Sequence, residues 1–390
     1  MPKAFLPTRY TYFDGLNALR FFAATLVVLM HMKNNLTKMG LPRIPEWCIF
    51  GKGLEAVSFF FVLSGFLITY ILLKETEKTG TVHIKRFYLK RVFRIWPLYF
   101  IIVGFGCLFF WYLAPAAGID FPVEYDKGLA VFLYVFFGAN LINSLYHMGG
   151  ILHVTWSIAV EEQFYLFWAP LMKKGQKHLP LIFATVFLLF LSLNILNAYN
   201  VFGLSKGWKD FVHTLQFHYM ALGGWIAWRL FRNPDRLLKA WVFRSKVGQA
   251  LCLSVLLGFL MLYTRQEAWE PWLIVPKGLL FAWIILNVSV NPRKLFGLNL
   301  RPLNYLGQIS YGIYMYHMIV IYAVSFLSLK VVHLLPGPLF YLFYVGLVLG
   351  LTILIAALSW HVVERHILRF GRKVIHGQAP KAHGTVATPA

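Results

Sequence analysis

Leu16 to Met32 reads LNALRFFAATLVVLMHM, a stretch apolar enough to cross a bilayer that nevertheless holds Arg20 and His31. Ionisable side chains inside a span are costly and face a protein interior or a water-filled cavity, so each one marks chemistry. Their separation of eleven residues corresponds to about 16 Å of helix, roughly half a bilayer core. It is also close to three turns, which puts both side chains on nearly the same face. One face thus carries a permanent cation near one membrane surface and an imidazole near the other. The bland alternative is a snorkelling Arg and an interfacial His at the two helix ends. A second concentration is HVTWSIAVEEQFYLFWAP, where Glu161 and Glu162 lie too deep in an apolar run for simple surface carboxylates. Ser157, Glu161, Tyr165 and Trp168 share a helical face there. A buried carboxylate beside an imidazole orients it, as a general base requires, so Glu161 is paired with His31 at similar depth. The alternative is a structural carboxylate serving another group. A third signal is HIKRFYLKRVFRIWP, in which Arg91 and Arg94 are neighbours on one helix face. Two adjacent guanidiniums repel, and a bound phosphate relieves that repulsion in fork geometry. An ordinary basic anchor at a membrane surface is the competing reading.

The elements that must position these groups are membrane helices. The 390 residues are 59% hydrophobic and only 13% charged, which excludes a soluble globular class. The net charge of +22 would suggest nucleic acid in a soluble protein. Here the basic residues sit in short loops between spans, so the partners they imply are anionic lipid headgroups and anionic ligands, not nucleic acid. Spans are expected at 15–32, 54–73, 95–113, 154–172, 180–199, 211–230, 248–264, 271–289, 303–328 and 338–362. The apolar stretch 129–146 is the ambiguous one. If it does not cross, 26 of the 37 Lys and Arg residues fall on one side and 9 on the other, with Arg20 and Lys277 inside spans. If it crosses, the clusters at 173–177 and 229–246 face outward, against the positive-inside bias. The fold expected is therefore an all-α polytopic protein of ten spans, with 129–146 a re-entrant or outer-face helix and both termini cytoplasmic. The first span has no small-residue cleavage site after it and is expected to persist as a helix. Residues 1–370 form one membrane domain, and the polar, small-residue stretch 371–390 is expected to be a disordered tail.

Other residues have quieter readings. Ser58, Ser64 and Gly65 in the second span suit close helix packing. Glu55 sits at its outer end as an interfacial carboxylate. Pro97 stiffens the start of the third span. His213 and His218 read as interface residues, Lys277 as a snorkelling or paired cation, and His317 as either a core histidine or a cavity wall. Glu364 among arginines reads as a surface charge network. Cys48, Cys107 and Cys252 have no metal or disulfide spacing, and no metal is implied.

Taken together the chain resembles the membrane-bound acyltransferase 3 family, whose members O-acylate cell-envelope sugars and related molecules. The matching pieces are Arg20 with His31, FFVLSGFLIT (60–69), RVFRIWPLY, TWSIAVEEQFY (155–165) and LGQISYGIYMYH (306–317), in the family's order. One departure is Ser58 where many members have an acidic residue, with Glu55 one turn earlier. The resemblance implies a bacterial cytoplasmic (inner) membrane enzyme without a tightly bound cofactor, using acyl-CoA, chiefly acetyl-CoA, as donor and a saccharide or glycolipid as acceptor. It further implies that Arg20, Arg91 and Arg94 hold the donor's phosphates. His31 is then base or transient acyl carrier, Glu161 its orienting carboxylate, and Trp156 with Ser157 the sugar-binding pair. The SGNH-type esterase domain fused to some members is expected to be absent. A transporter or flippase for an anionic envelope lipid or sugar suits the same buried charges, as does a non-catalytic scaffold that keeps the fold. The motif set, and the lack of an internal repeat, favour the acyltransferase.

Overall fold

A computed structural model describes residues 10, 13–43, 48–119, 125–146, 150–263 and 269–377. Among these the chain is helical, with no strand. The principal helices are α1 (Leu16–Lys38), α2 (Gly53–Thr79), α3 (Ile84–Leu108), α4 (Lys127–Val135), α5 (Ala139–Tyr146) and α6 (Thr155–Lys174). They continue with α7 (Leu179–Ala198), α8 (Phe217–Arg232), α9 (Lys246–Leu262), α10 (Glu270–Ser289), α11 (Ser310–Val331), α12 (Gly337–Ser359) and α13 (Arg365–Gly377). Among the described residues, seven helices are long and apolar enough to cross a membrane: α1, α2, α3, α7, α10, α11 and α12. α6, α8 and α9 occupy the other three positions expected to span. α6 carries Glu161, Glu162, Lys173 and Lys174, and α8 and α9 are shorter, at 16 and 17 residues.

α2 is the centre of the bundle. It lies along α8 and also meets α1, α6 and α10. Small residues permit the close approach: a Cβ on Gly65 would overlap the carbonyl of Met220, and one on Gly223 the carbonyl of Val62. Thr69 accepts from the indole Nε1 of buried Trp168 at 2.9 Å, which ties α2 to α6. α1 packs on the other flank of α2 and against α11.

Among the boundaries that differ from the sequence expectation, three stand out. α3 starts at Ile84 rather than near 95, because its basic first turns are good helix formers that an apolar window does not register. Pro97 is consequently inside the helix, not at its start. The stretch 129–146 is broken into α4 and α5, of 9 and 8 residues, each too short to span. Phe137 at the break has φ of 55°, a left-handed turn. The backbone freed there is satisfied by protein: Gln163 Nε2 donates to Phe137 O at 2.8 Å, and Tyr99 OH donates to Tyr134 O at 3.0 Å. α12 leads through a π turn into α13, which continues past Gly371 to Gly377. The rest of the expected tail (378–390), with Lys3, Arg9 and Arg265, lies outside the described residues.

Candidate functional site

α1, α2, α6 and α11 line a partly open cavity of about 80 Å³. Its polar wall is Arg20, Ser64, Ser157, Glu161, Ser310 and Tyr314, and its apolar wall includes Phe60, Phe61 and Ile158. Glu161 is held on both oxygens. Ser64 Oγ donates to Oε1 at 2.7 Å, and Tyr165 OH donates to Oε2 at 2.9 Å from the next turn of the same helix. Charge-assisted bonds of this kind are the stronger class, so the carboxylate is fixed in place. Across the cavity Ser157 Oγ and Tyr314 OH are 2.7 Å apart. Neighbouring Glu162 accepts from Trp96 Nε1 at 3.1 Å.

The cations gather beside this cavity. Arg20 interacts electrostatically with Glu161 and Arg91, and Arg94 with Arg20, Arg91 and Glu364. Arg91 also lies over the rings of Phe87 and Tyr165, 5.8 Å from each centroid. Arg94 is exposed, while Arg20 and Arg91 are half-buried. Glu364 is not a simple surface charge, since it accepts from Ser359 Oγ at 3.0 Å behind Arg94.

The structure brings Arg20, Arg91, Arg94, Glu161 and Ser157 to one region. It does not place Glu161 beside His31. Instead His31 stands ring to ring with His317, at 5.2 Å between centroids, and with His153, at 5.6 Å. His31 is not among the residues that line the cavity; Tyr314, which does line it, stands 5.8 Å ring to ring from His317. Trp156 is buried with its ring edge-on to Phe61 at 6.2 Å, so it packs in the core rather than offering a face. Sequence reasoning took Ser64 as a packing residue only and passed over Tyr314 and His153. Ser64 and Tyr314 lie within motifs quoted above, but nothing in a linear pattern says which carboxylate or hydroxyl a small polar residue will meet.

A second cavity flanks α2 on the side of α8 and α10, lined by Glu55, Ser58, Gln216, His218, Glu270 and Lys277 among others. Lys277 is paired, with Nζ 2.7 Å from Glu270 Oε2. Ser58 Oγ, where many family members carry an acid, donates to Gln216 Oε1 at 2.8 Å. Two expectations are corrected here. Glu55 is 4% exposed and His218 1% exposed, so neither is interfacial; both turn inward where neighbouring helices cover them.

A guanidinium and a carboxylate held around a polar cavity, inside a bundle of membrane-length helices, belong to a multi-pass membrane protein. Residues 13–357 match the acyltransferase 3 family, described as an acyltransferase domain, and the chain belongs to that family. It is 28% identical over 380 residues to YrhL of Bacillus subtilis (strain 168), which carries the provisional name of a peptidoglycan O-acetyltransferase; the match covers 92% of this chain and 55% of that one. It is 26% identical to a provisionally named O-acetyltransferase of Staphylococcus aureus (strain COL), over 94% of this chain and 59% of the relative. The O-acetyltransferase OatA of Staphylococcus aureus (strain NCTC 8325 / PS 47) is 24% identical, over 96% and 60%. The chain thus spans a little over half the length of these relatives. No solved structure matches it.

Proposed function

We propose that this protein is an O-acyltransferase that moves an acyl group, acetyl foremost, from acyl-CoA to a hydroxyl of a cell-envelope saccharide or glycolipid. The observation that carries the reading is the convergence of Arg20, Arg91 and Arg94 beside a cavity whose wall residue Tyr314 packs against the imidazole cluster, in a chain of this family. The relatives' names supply the acetyl group and the envelope acceptor. In this reading ten helices span the bacterial cytoplasmic membrane with both termini inside, which puts the three cations at the cytoplasmic mouth. They bind the donor's phosphates in fork geometry. The pantetheine arm then runs through the cavity, and the thioester reaches the depth of His31, about 16 Å from Arg20 along α1.

His31 takes the proton from the acceptor hydroxyl, whose oxygen attacks the thioester carbonyl. The C–O ester bond forms, the C–S bond breaks, and the proton passes to the departing CoA thiolate. In the two-step variant the imidazole itself carries the acyl group between donor and acceptor. Glu161, bonded to Ser64 and Tyr165, balances the charge of Arg20 and shapes the passage rather than orienting His31.

The test uses purified protein in detergent with radiolabelled acetyl-CoA and an acetylatable saccharide. His31→Ala is expected to abolish transfer while the protein stays folded and inserted, and full activity in that variant overturns the role. Label retained on wild-type protein in the absence of acceptor, and lost in the variant, selects the acyl-imidazole route. Arg91→Ala is expected to raise the KM for acetyl-CoA roughly tenfold, the loss of one charge-assisted phosphate contact. An unchanged KM removes Arg91 from the donor site.

A further inference from the structure

His31, on α1, is flanked by His153, from the short helical turn Gly150–Val154, and by His317, on α11. His317 is fully buried. Its Nδ1 lies 2.6 Å from the backbone carbonyl of Tyr314, one turn earlier in α11. A carbonyl only accepts, so Nδ1 carries the hydrogen, and in the neutral ring Nε2 is left as a lone-pair acceptor. That Nε2 is buried and has no hydrogen-bond partner. A buried acceptor without a donor is costly, and such atoms mark places where a neighbouring group supplies the bond. The imidazole of His31 stands 5.2 Å away, centroid to centroid. At that separation facing ring nitrogens come to roughly 3 Å, within hydrogen-bond range, once the rings turn toward each other.

We propose that His317 is the positioning residue of His31: its Nε2 accepts the N–H of one His31 nitrogen and so confines the lone pair of His31 to the other. The inference rests on the reading of His31 as base or acyl carrier, since both roles need a lone pair at a fixed place. Histidine bases in general are oriented by a third group that holds one ring nitrogen. Here that group is a second histidine, itself held by a backbone carbonyl that no substitution at position 314 removes. His153 also stands beside His31, 5.6 Å ring to ring, and its Nδ1 is likewise buried without a partner.

Full-length protein labelled with 15N-histidine, in detergent, tests the contact directly. The His31 resonances are those that vanish in His31→Ala. Wild type is expected to show one His31 tautomer, and His317→Phe a mixture of two. In the same preparations His317→Phe is expected to lower kcat for acetyl transfer roughly tenfold to a hundredfold with the KM for acetyl-CoA unchanged. His317→Gln, whose amide oxygen can accept from His31, is expected to recover most of the rate and the single tautomer. Should the Phe variant fail to insert, His317→Leu takes its place. An unchanged His31 tautomer in the acceptor-free variant overturns the proposal, as does a lost rate accompanied by a raised KM and no tautomer change. A His31→Ala protein that still transfers acetyl overturns the catalytic reading instead, and the tautomer result still decides whether His317 holds His31.

Discussion

α2 and α7 are comparably apolar, yet over their most apolar stretches α2 is 78% buried inside the protein and α7 only 22%. In water such a difference would show in composition. In a bilayer, protein interior and lipid are both apolar, so hydropathy does not say which helix faces which. The small and polar residues do. α2 carries Ser58, Ser64, Gly65 and Thr69, and each meets a partner on another helix or at its N-cap: Gln216, Glu161, Met220 and Trp168. α7 turns Leu181, Leu188, Leu189 and Leu196 outward. Its buried polar residues, Asn194 and Asn197, bond to the backbone at Leu215 and Lys209 near its C-terminal end.

Substitutions on the two helices and at their partners grade this contrast. Gly65→Leu puts a side chain into the backbone of α8 and is expected to prevent assembly, read as loss of a monodisperse peak in size-exclusion chromatography; a monodisperse variant would mean that α2 is not the packing centre. Glu161→Leu removes the acceptor of two hydroxyls and the charge facing Arg20. It is expected to destabilise by roughly 3 kcal/mol, seen as a lower thermal midpoint in detergent. A midpoint equal to wild type would show that the Ser64–Glu161–Tyr165 group does not hold α2 to α6. Leu188→Ala, on the outward face of α7, is expected to stay within about 0.5 kcal/mol of wild type. A loss as large as that of Glu161→Leu would place α7 inside the assembly.

Much of this was legible in the residues. Arg20 and Glu161 stood out because charge inside an apolar run needs a reason, and the Glu161–Tyr165 bond follows from i, i+4 spacing. Charge counting showed that 129–146 is not an ordinary span. What sequence could not convey was direction around each helix. Depth along an axis put Glu161 and His31 level, but the face of α6 that carries Glu161 looks at Ser64 and Arg20, and His31 looks at His317. Glu55 and His218 were misplaced for the same reason: position near a helix end suggested an interface, and the packing of α2, α8 and α10 encloses both.

Each half of the broken segment, α4 and α5, is shorter than half of a hydrocarbon core about 30 Å thick. Even so, α4 exposes Leu129, Val131, Phe132 and Val135, and Phe136 just after it is exposed too. This flank thus offers lipid an apolar surface carried by half-length helices, and a bilayer that meets a shorter apolar surface thins or tilts to match it, at fractions of a kcal/mol per Å.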